Sequence, residues 1–171
     1  SRERRIRRSD RDVTGQWPLA HFAMAQGQVA AENIMGHEVR MESRAVPRCV
    51  YTLPEVASVG MTEKQAREAG YELKIGRFPF AANGKATLMG ERNGFVKIVA
   101  ETKYDEILGL HIFGPHATEL IGEAVLAMRL EGTAPDMAQA IHPHPTLTEA
   151  LMEAALDVEG RAVHIAPRRK S

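Results

Sequence analysis

Apolar residues in this chain follow two rhythms. Leu19, Phe22, Ala23, Val29, Ala30 and Ile34 fall on or near one helical face, which predicts a helix from Leu19 to Met35. Pro18 suits its first turn and Gly36 its C-terminal stop. Leu120, Ile121, Ala124, Val125, Ala127 and Met128 form a broad stripe on a second helix, Ala117 to Leu130. A third helix is expected to open at Thr146, run through Ala150, Leu151, Met152, Ala154, Ala155 and Leu156, and end near Asp157. Between the first helix and the other two the period shortens. Tyr71, Leu73 and Ile75 alternate with Glu72 and Lys74 and predict a strand from Tyr71 to Phe80. Short apolar runs at 47–51, 56–59, 95–100 and 107–113 are further strands, the last two joined near Tyr104-Asp105 as an antiparallel hairpin. Thr62-Glu63-Lys64-Gln65 is a capping box for a short helix that Gly70 closes, and Thr133-Ala134-Pro135-Asp136 caps another that reaches Ala140. Residues 81–91, with Asn83-Gly84, read as a loop or a short irregular element, and 37–46 as a polar linker.

Strands grouped in the middle, with helices before and after them, indicate an α+β fold. The expected architecture is an antiparallel sheet covered by helices, not an alternation of strand and helix. Helices on one side leave the other sheet face to bury, and a dimer is one solution. With 171 residues the chain can bury one good core and an appended segment. Its 22 basic and 22 acidic residues cancel, so no global field argues for nucleic acid or a membrane surface. Five arginines among residues 1–8 allow a basic arm, which would bind nucleic acid in a salt-sensitive way. Without interleaved aromatics, residues 1–11 are expected to be a disordered basic tail. No apolar run reaches the length of a transmembrane helix, and no signal peptide is visible. The single Cys49 precludes an internal disulfide and reads as a small buried hydrophobe. A reducing, cytoplasmic setting fits it.

The candidate chemistry lies in Ile141-His142-Pro143-His144-Pro145-Thr146-Leu147-Thr148-Glu149. Each proline disfavours helix in the residue before it, so both histidines should be extended and stiffly held. Glu149 follows His144 by five residues, and an imidazole with a carboxylate on the next helical turn is a candidate general acid/base pair. The same spacing, Thr146-x-x-Glu149, is also a capping box in which the glutamate serves only the helix start. His142 and His144 could ligate a metal, but no third ligand or cysteine cluster lies nearby in sequence. A loop histidine without a role fits the spacing equally well.

These residues, with others along the chain, resemble a known family. From Val46 to Leu156 the sequence is similar to the C-terminal interface domain of the pyridine nucleotide-disulfide oxidoreductases. The pieces that carry the likeness are Tyr51-Thr52-Leu53-Pro54-Glu55, Val59-Gly60-Met61-Thr62-Glu63, Phe78-Pro79-Phe80-Ala81-Ala82-Asn83-Gly84, Gly94-Phe95-Val96-Lys97, Ile107 to Pro115, and His142 to Glu149. Gly160-Arg161-Ala162-Val163-His164 looks similar too, and Asp12-Val13-Thr14-Gly15 with Leu19-Ala20-His21 resembles the family's second flavin-contacting segment. The branch it resembles most oxidises a dihydrolipoyl dithiol and passes electrons through FAD to NAD. The resemblance divides the chain into a remnant of the FAD-binding domain over 12–45, an interface domain over 46–160 and a tail over 161–171.

The resemblance also implies roles. His144 and Glu149 would be the acid/base pair, lent across a homodimer to the partner's redox disulfide, with His144-Pro145 in the cis form. Asp12, Leu19, Ala20, His21, His144 and Pro145 would be the flavin-side contacts. The family's glycine-rich FAD motif, redox cysteine pair and NAD domain are not found in these 171 residues, and Arg11 stands where the family has glycine. The chain alone is therefore expected to be inactive and to hold neither FAD nor NAD. In the complete enzyme its partners would be a second copy and a dihydrolipoyl-bearing protein. Close alternatives are the same domain of a glutathione-reductase-like or mercuric-reductase-like relative, or a non-catalytic dimerisation module. A mercuric-reductase-like chain would end in paired cysteines, which Pro167-Arg168-Arg169-Lys170-Ser171 lacks.

Overall fold

The computed structural model describes residues 18–166. The expectations for residues 1–11, for Asp12 and for 167–171 lie outside the described residues. The chain divides into two compact units, Ser1–Val46 and Pro47–Ser171.

In the first unit helix α1 spans Ala20–Ile34, within a residue at each end of the periodicity-based expectation. Phe22 and Gln26, one turn apart, are its buried residues. Its C-terminal end is tied off by Asn33, whose Nδ2 donates to the carbonyls of Val29 at 2.7 Å and Val39 at 2.8 Å. Gly36 follows with φ +95°, a conformation that costs glycine little.

The second unit is built on five strands: β1 (Arg48–Val50), β2 (Glu55–Gly60), β3 (Leu73–Pro79), β4 (Phe95–Glu101) and β5 (Ile107–Gly114). They pair in the order β1-β2-β5-β4-β3, every neighbour antiparallel. Their register sorts the side chains into two faces. Phe78, Val96, Ile112 and Ala57 lie in one row across the sheet, and Gly76, Ile98, Leu110 and Val59 in the next. Apart from the glycine, every member of these rows is buried almost completely. A bulge between Val99 and Ala100 leaves Leu108 unpaired on β5, and Leu108 packs with Val99 and Ala66 on the opposite side.

Three helices cover the buried face. Helix α4 (Ala117–Arg129) packs on β2 and β5 through Leu120, Ile121, Ala124 and Met128. Helix α6 (Glu149–Val158) packs on β3 and β4, and α5 (Ala134–Gln139) packs on α6. Gly76 is what lets α6 come close. A Cβ there would lie 2.0 Å from the carbonyl oxygen of Ala154 and 2.9 Å from the backbone nitrogen of Val158. The other face is only partly covered: α2 (Glu63–Glu68) lays Ala66 over one corner, while Val56 and Phe113 remain part-exposed. The α+β expectation and the hairpin of β4 and β5 hold.

Two local expectations are corrected. Residues 81–91 contain real helix: a 3-10 turn over Phe80–Ala82 and then α3 over Gly84–Met89, capped by the Asn83 side chain, which accepts from Ala86 N at 2.9 Å. Thr146 does not open the last helix. Its hydroxyl donates to Pro143 O at 2.6 Å, and α6 starts only at Glu149.

On β5, His111 Nε2 lies 3.0 Å from Met61 O, so Nε2–H donates and the ring sits as a neutral donor. Burial lowers its proton affinity. The Met61 carbonyl opposes that, and nearby Lys97 and Arg48 reinforce it. A histidine depressed below its ordinary 6.5 binds fewer protons folded than unfolded, so its stability contribution is complete above that value and is lost as pH falls through the lowered one. The expected result is a thermal midpoint that is flat from pH 8 to about 6.5 and then declines in weak acid, before the carboxylates titrate. In His111→Asn the weak-acid decline should disappear; a decline of the same size in the variant would assign it elsewhere.

Candidate active site around His144

Helix α5 is set by a complete capping box. Thr133 Oγ1 accepts from Asp136 N at 3.3 Å, and Asp136 Oδ2 accepts from Thr133 N at 2.8 Å. The helix stops at Ala140, whose backbone is extended, and the chain enters the histidine-proline segment without helix. Two peptide bonds in the described residues are cis, Leu53-Pro54 and His144-Pro145. The segment is held from outside by Asn83, whose Nδ2 donates to Thr146 O at 3.0 Å. One buried asparagine thus both caps α3 and fixes the loop.

His144 and Glu149 meet. The ring Nδ1 is 2.8 Å from Glu149 Oε1, and Glu149 Oε2 accepts from Thr146 N at 2.9 Å. One carboxylate thus grips both the ring and the loop backbone, each by a different oxygen, but it caps no helix: the capping box expected at Thr146–Glu149 does not form, because α6 starts at Glu149 itself. The imidazole is 77% exposed and the carboxylate 18%. Burial raises the pKa of Glu149, but the Thr146 N–H and the His144 ring, with the charges of His144 and His164, more than offset it. The carboxyl is held below its ordinary 4.5 and is ionised at neutral pH. With Nδ1–H donated to this anion, Nε2 is the ring's open lone pair. Chemically the arrangement is an exposed base oriented by a largely buried anion.

His142 has the opposite environment. Its side chain is 6% exposed, with Nδ1 2.8 Å from Ala140 O and Nε2 2.9 Å from Glu123 Oε1. The two histidines do not converge on a metal, and among the described residues no cluster of three or more ligating side chains exists. Leu19, Ala20 and His21 belong to the first unit, at the start of α1, where the N-cap Leu19 offers no side-chain acceptor to the first turn. Cys49 is a free thiol, partly buried, and pushed up by burial and then by the charges of Glu55 and Glu119.

Sequence reasoning missed two carboxylates. Glu123 holds His142. Glu153, one turn beyond Glu149 on α6, is buried and accepts from Val163 N at 2.9 Å, His164 N at 3.2 Å and the His164 ring at 2.7 Å. The available signal was an acidic residue set among apolar or small ones within each helix, Glu123 between Gly122 and Ala124, and Glu153 between Met152 and Ala154.

Residues 46–155 match the model of the pyridine nucleotide-disulphide oxidoreductase dimerisation domain. The chain belongs to this family. Its similarity to curated relatives extends beyond the domain. The dihydrolipoyl dehydrogenase of Bacillus subtilis is 50% identical over 154 residues, 90% of this chain and 32% of that protein. The dihydrolipoyl dehydrogenase of Thermus scotoductus is 49% identical over 157 residues, 92% of this chain and 34% of that protein. The chain thus spans about a third of the length of the curated relatives it matches. Among solved structures, LpdA from Mycobacterium tuberculosis superimposes with a TM-score of 0.81 at 30% identity, over 86% of this chain and 32% of that one. The HOCl-induced flavoprotein disulfide reductase RclA from Escherichia coli does so at 0.77 and 26%, over 82% of this chain and 33% of that one. The fold is that of the dimerisation domain of disulfide oxidoreductases, and the helices described are too short or too polar to cross a membrane.

Proposed function

We propose that this chain is the C-terminal dimerisation part of a dihydrolipoyl dehydrogenase and lends the His144–Glu149 pair to a redox centre on a partner subunit. The single observation that carries the reading is the pair's geometry: an exposed imidazole whose Nδ1 is 2.8 Å from a largely buried carboxylate. A base meant for its own core would be covered. This one presents Nε2 outward. In the reaction, Nε2 takes the proton from a dihydrolipoyl thiol, and the thiolate so formed is the nucleophile that attacks the partner's disulfide. Glu149 stabilises the imidazolium that results, and its depressed pKa keeps it ionised for that task.

FAD and NAD in the complete enzyme supply the electron transfer from dithiol to nicotinamide. Among the described residues the side of this chain suited to the flavin is the start of α1. There Leu19, Ala20 and His21 would approach it through a first turn to which the N-cap offers no side-chain acceptor. Asp12 would join them, and His144 and Pro145 would meet the flavin of the other subunit. A redox disulfide needs two cysteines and this chain has one, so that centre lies outside these residues. The working assembly is a homodimer, its thiol partner a dihydrolipoyl-bearing protein, and its compartment the reducing cytoplasm.

The partly covered sheet face and the helix start without a side-chain cap make separate predictions for the chain alone. In sedimentation with added FAD the chain should run as a dimer of itself with no flavin absorbance in the protein boundary. A monomer at micromolar concentration would contradict the self-association, and stoichiometric flavin uptake would contradict the division of the cofactor site between this chain and missing residues.

A further inference from the structure

We propose that Glu123 on α4 is a positioning residue for the His144–Glu149 pair, acting through the buried ring of His142. The inference rests on the acid/base reading above and adds a second carboxylate to it. Two rings separated by one residue have opposite fates here, His142 with 6% of its side chain exposed and His144 with 77%. Both nitrogens of His142 are occupied, Nδ1 by Ala140 O and Nε2 by Glu123 Oε1. Such a ring cannot take a substrate proton without breaking a bond it already makes, so its work is to hold.

What it holds is the approach to His144. Only Pro143 stands between the two histidines, and its ring fixes φ there, so a located His142 leaves little freedom to the Cα of His144. Pro143 O is itself bonded to the Thr146 hydroxyl, and Thr146 N to Glu149. The segment is thus gripped at its start by α4, at its middle by Asn83 and at its end by α6. Helix α4 packs on β2 and β5, whereas α6 packs on β3 and β4. The bond from Glu123 therefore ties the histidine segment to the helix that packs on β2 and β5, while Glu149 ties it to the helix that packs on β3 and β4. Without it, His142 has an uncompensated polar ring in a covered position, and the segment turns about its two remaining anchors.

The test uses the chain itself, labelled with nitrogen-15, and reads the His144 ring and not stability. Long-range proton–nitrogen spectra give the tautomer of each imidazole, and hydrogen exchange gives the protection of Thr146 N–H, the donor to Glu149. In Glu123→Leu the Thr146 amide should exchange about tenfold faster. The His144 ring should also lose its Nδ1–H preference, while the amides of Ile98 and Leu110 keep their protection. Glu123→Gln, which keeps an acceptor oxygen, should fall between wild type and the leucine variant, and it supplies the same readout if the leucine variant does not fold. The proposal is overturned if the His142 signals move, proving the bond lost, while the His144 tautomer and Thr146 exchange stay at their wild-type values. Neither reading needs flavin or thiol. An inactive role for His144 would therefore leave this result standing, and a failed latch would leave the acid/base assignment standing.

Discussion

Replacing His144 by glutamine in the chain joined to a matching FAD and NAD half is expected to slow lipoamide turnover by about 10²–10⁴-fold, the usual worth of a positioned acid/base group. Glutamine preserves size and can still accept or donate one hydrogen bond, but it cannot carry the proton of a thiol. The loss should fall on the dithiol step. Reduction of the flavin by the nicotinamide cofactor needs no thiol proton and should stay near its normal rate. Glu149→Gln should cost less, because the ring stays in place through the other loop anchors, Asn83 and Glu123, while the imidazolium loses its anion. Stopped-flow absorbance of the flavin separates the two half-reactions. A His144→Gln enzyme within about tenfold of wild type in the dithiol half-reaction would remove the acid/base role.

Gly76→Ala is expected to destabilise the chain by about 3 kcal/mol, at the upper end of overpacking effects in close-packed interiors. The new methyl would stand 2.0 Å from a backbone oxygen of Ala154 and 2.7 Å from a methyl of Val158. Backbone cannot rotate away as a side chain can, so α6 must lift from β3. Glu149 begins that helix, and Arg77 N, beside Gly76, donates to Asp157 Oδ2 at 2.7 Å near the helix end. A shift of α6 would therefore reach both the sheet contact and the carboxylate of the pair. Urea denaturation measures the stability loss. A change below about 0.5 kcal/mol would mean that the helix has room the structure does not show.

The degree to which these features were legible in the sequence follows from how local their causes are. The stops of α1 and the boxes at Thr62–Gln65 and Thr133–Asp136 depend on residues within one turn of each other, and they formed as the spacing indicated. The meeting of His144 and Glu149 is likewise a five-residue affair. Helix α3 escaped because six residues, Gly84–Met89, make fewer than two turns and Asn83-Gly84 has the composition of a turn. The start of α6 was misplaced because the Thr146 hydroxyl bonds backward to Pro143, a competition that spacing does not reveal. The bonds from Asn83 to Thr146 and from Glu123 to His142 join residues far apart in the chain. No periodicity carries them; only the folded sheet brings their helices together.

The central claim is that the imidazole serves a redox centre on the other subunit. The most direct measurement is complementation between two dead enzymes: one with His144→Gln, the other with its cysteine pair removed, each inactive alone. Purified mixed dimers contain one site damaged twice and one site intact if the histidine is lent across the twofold axis, so they should recover about half the wild-type activity. If the histidine served its own subunit, both sites of the mixed dimer would be damaged and no activity would return.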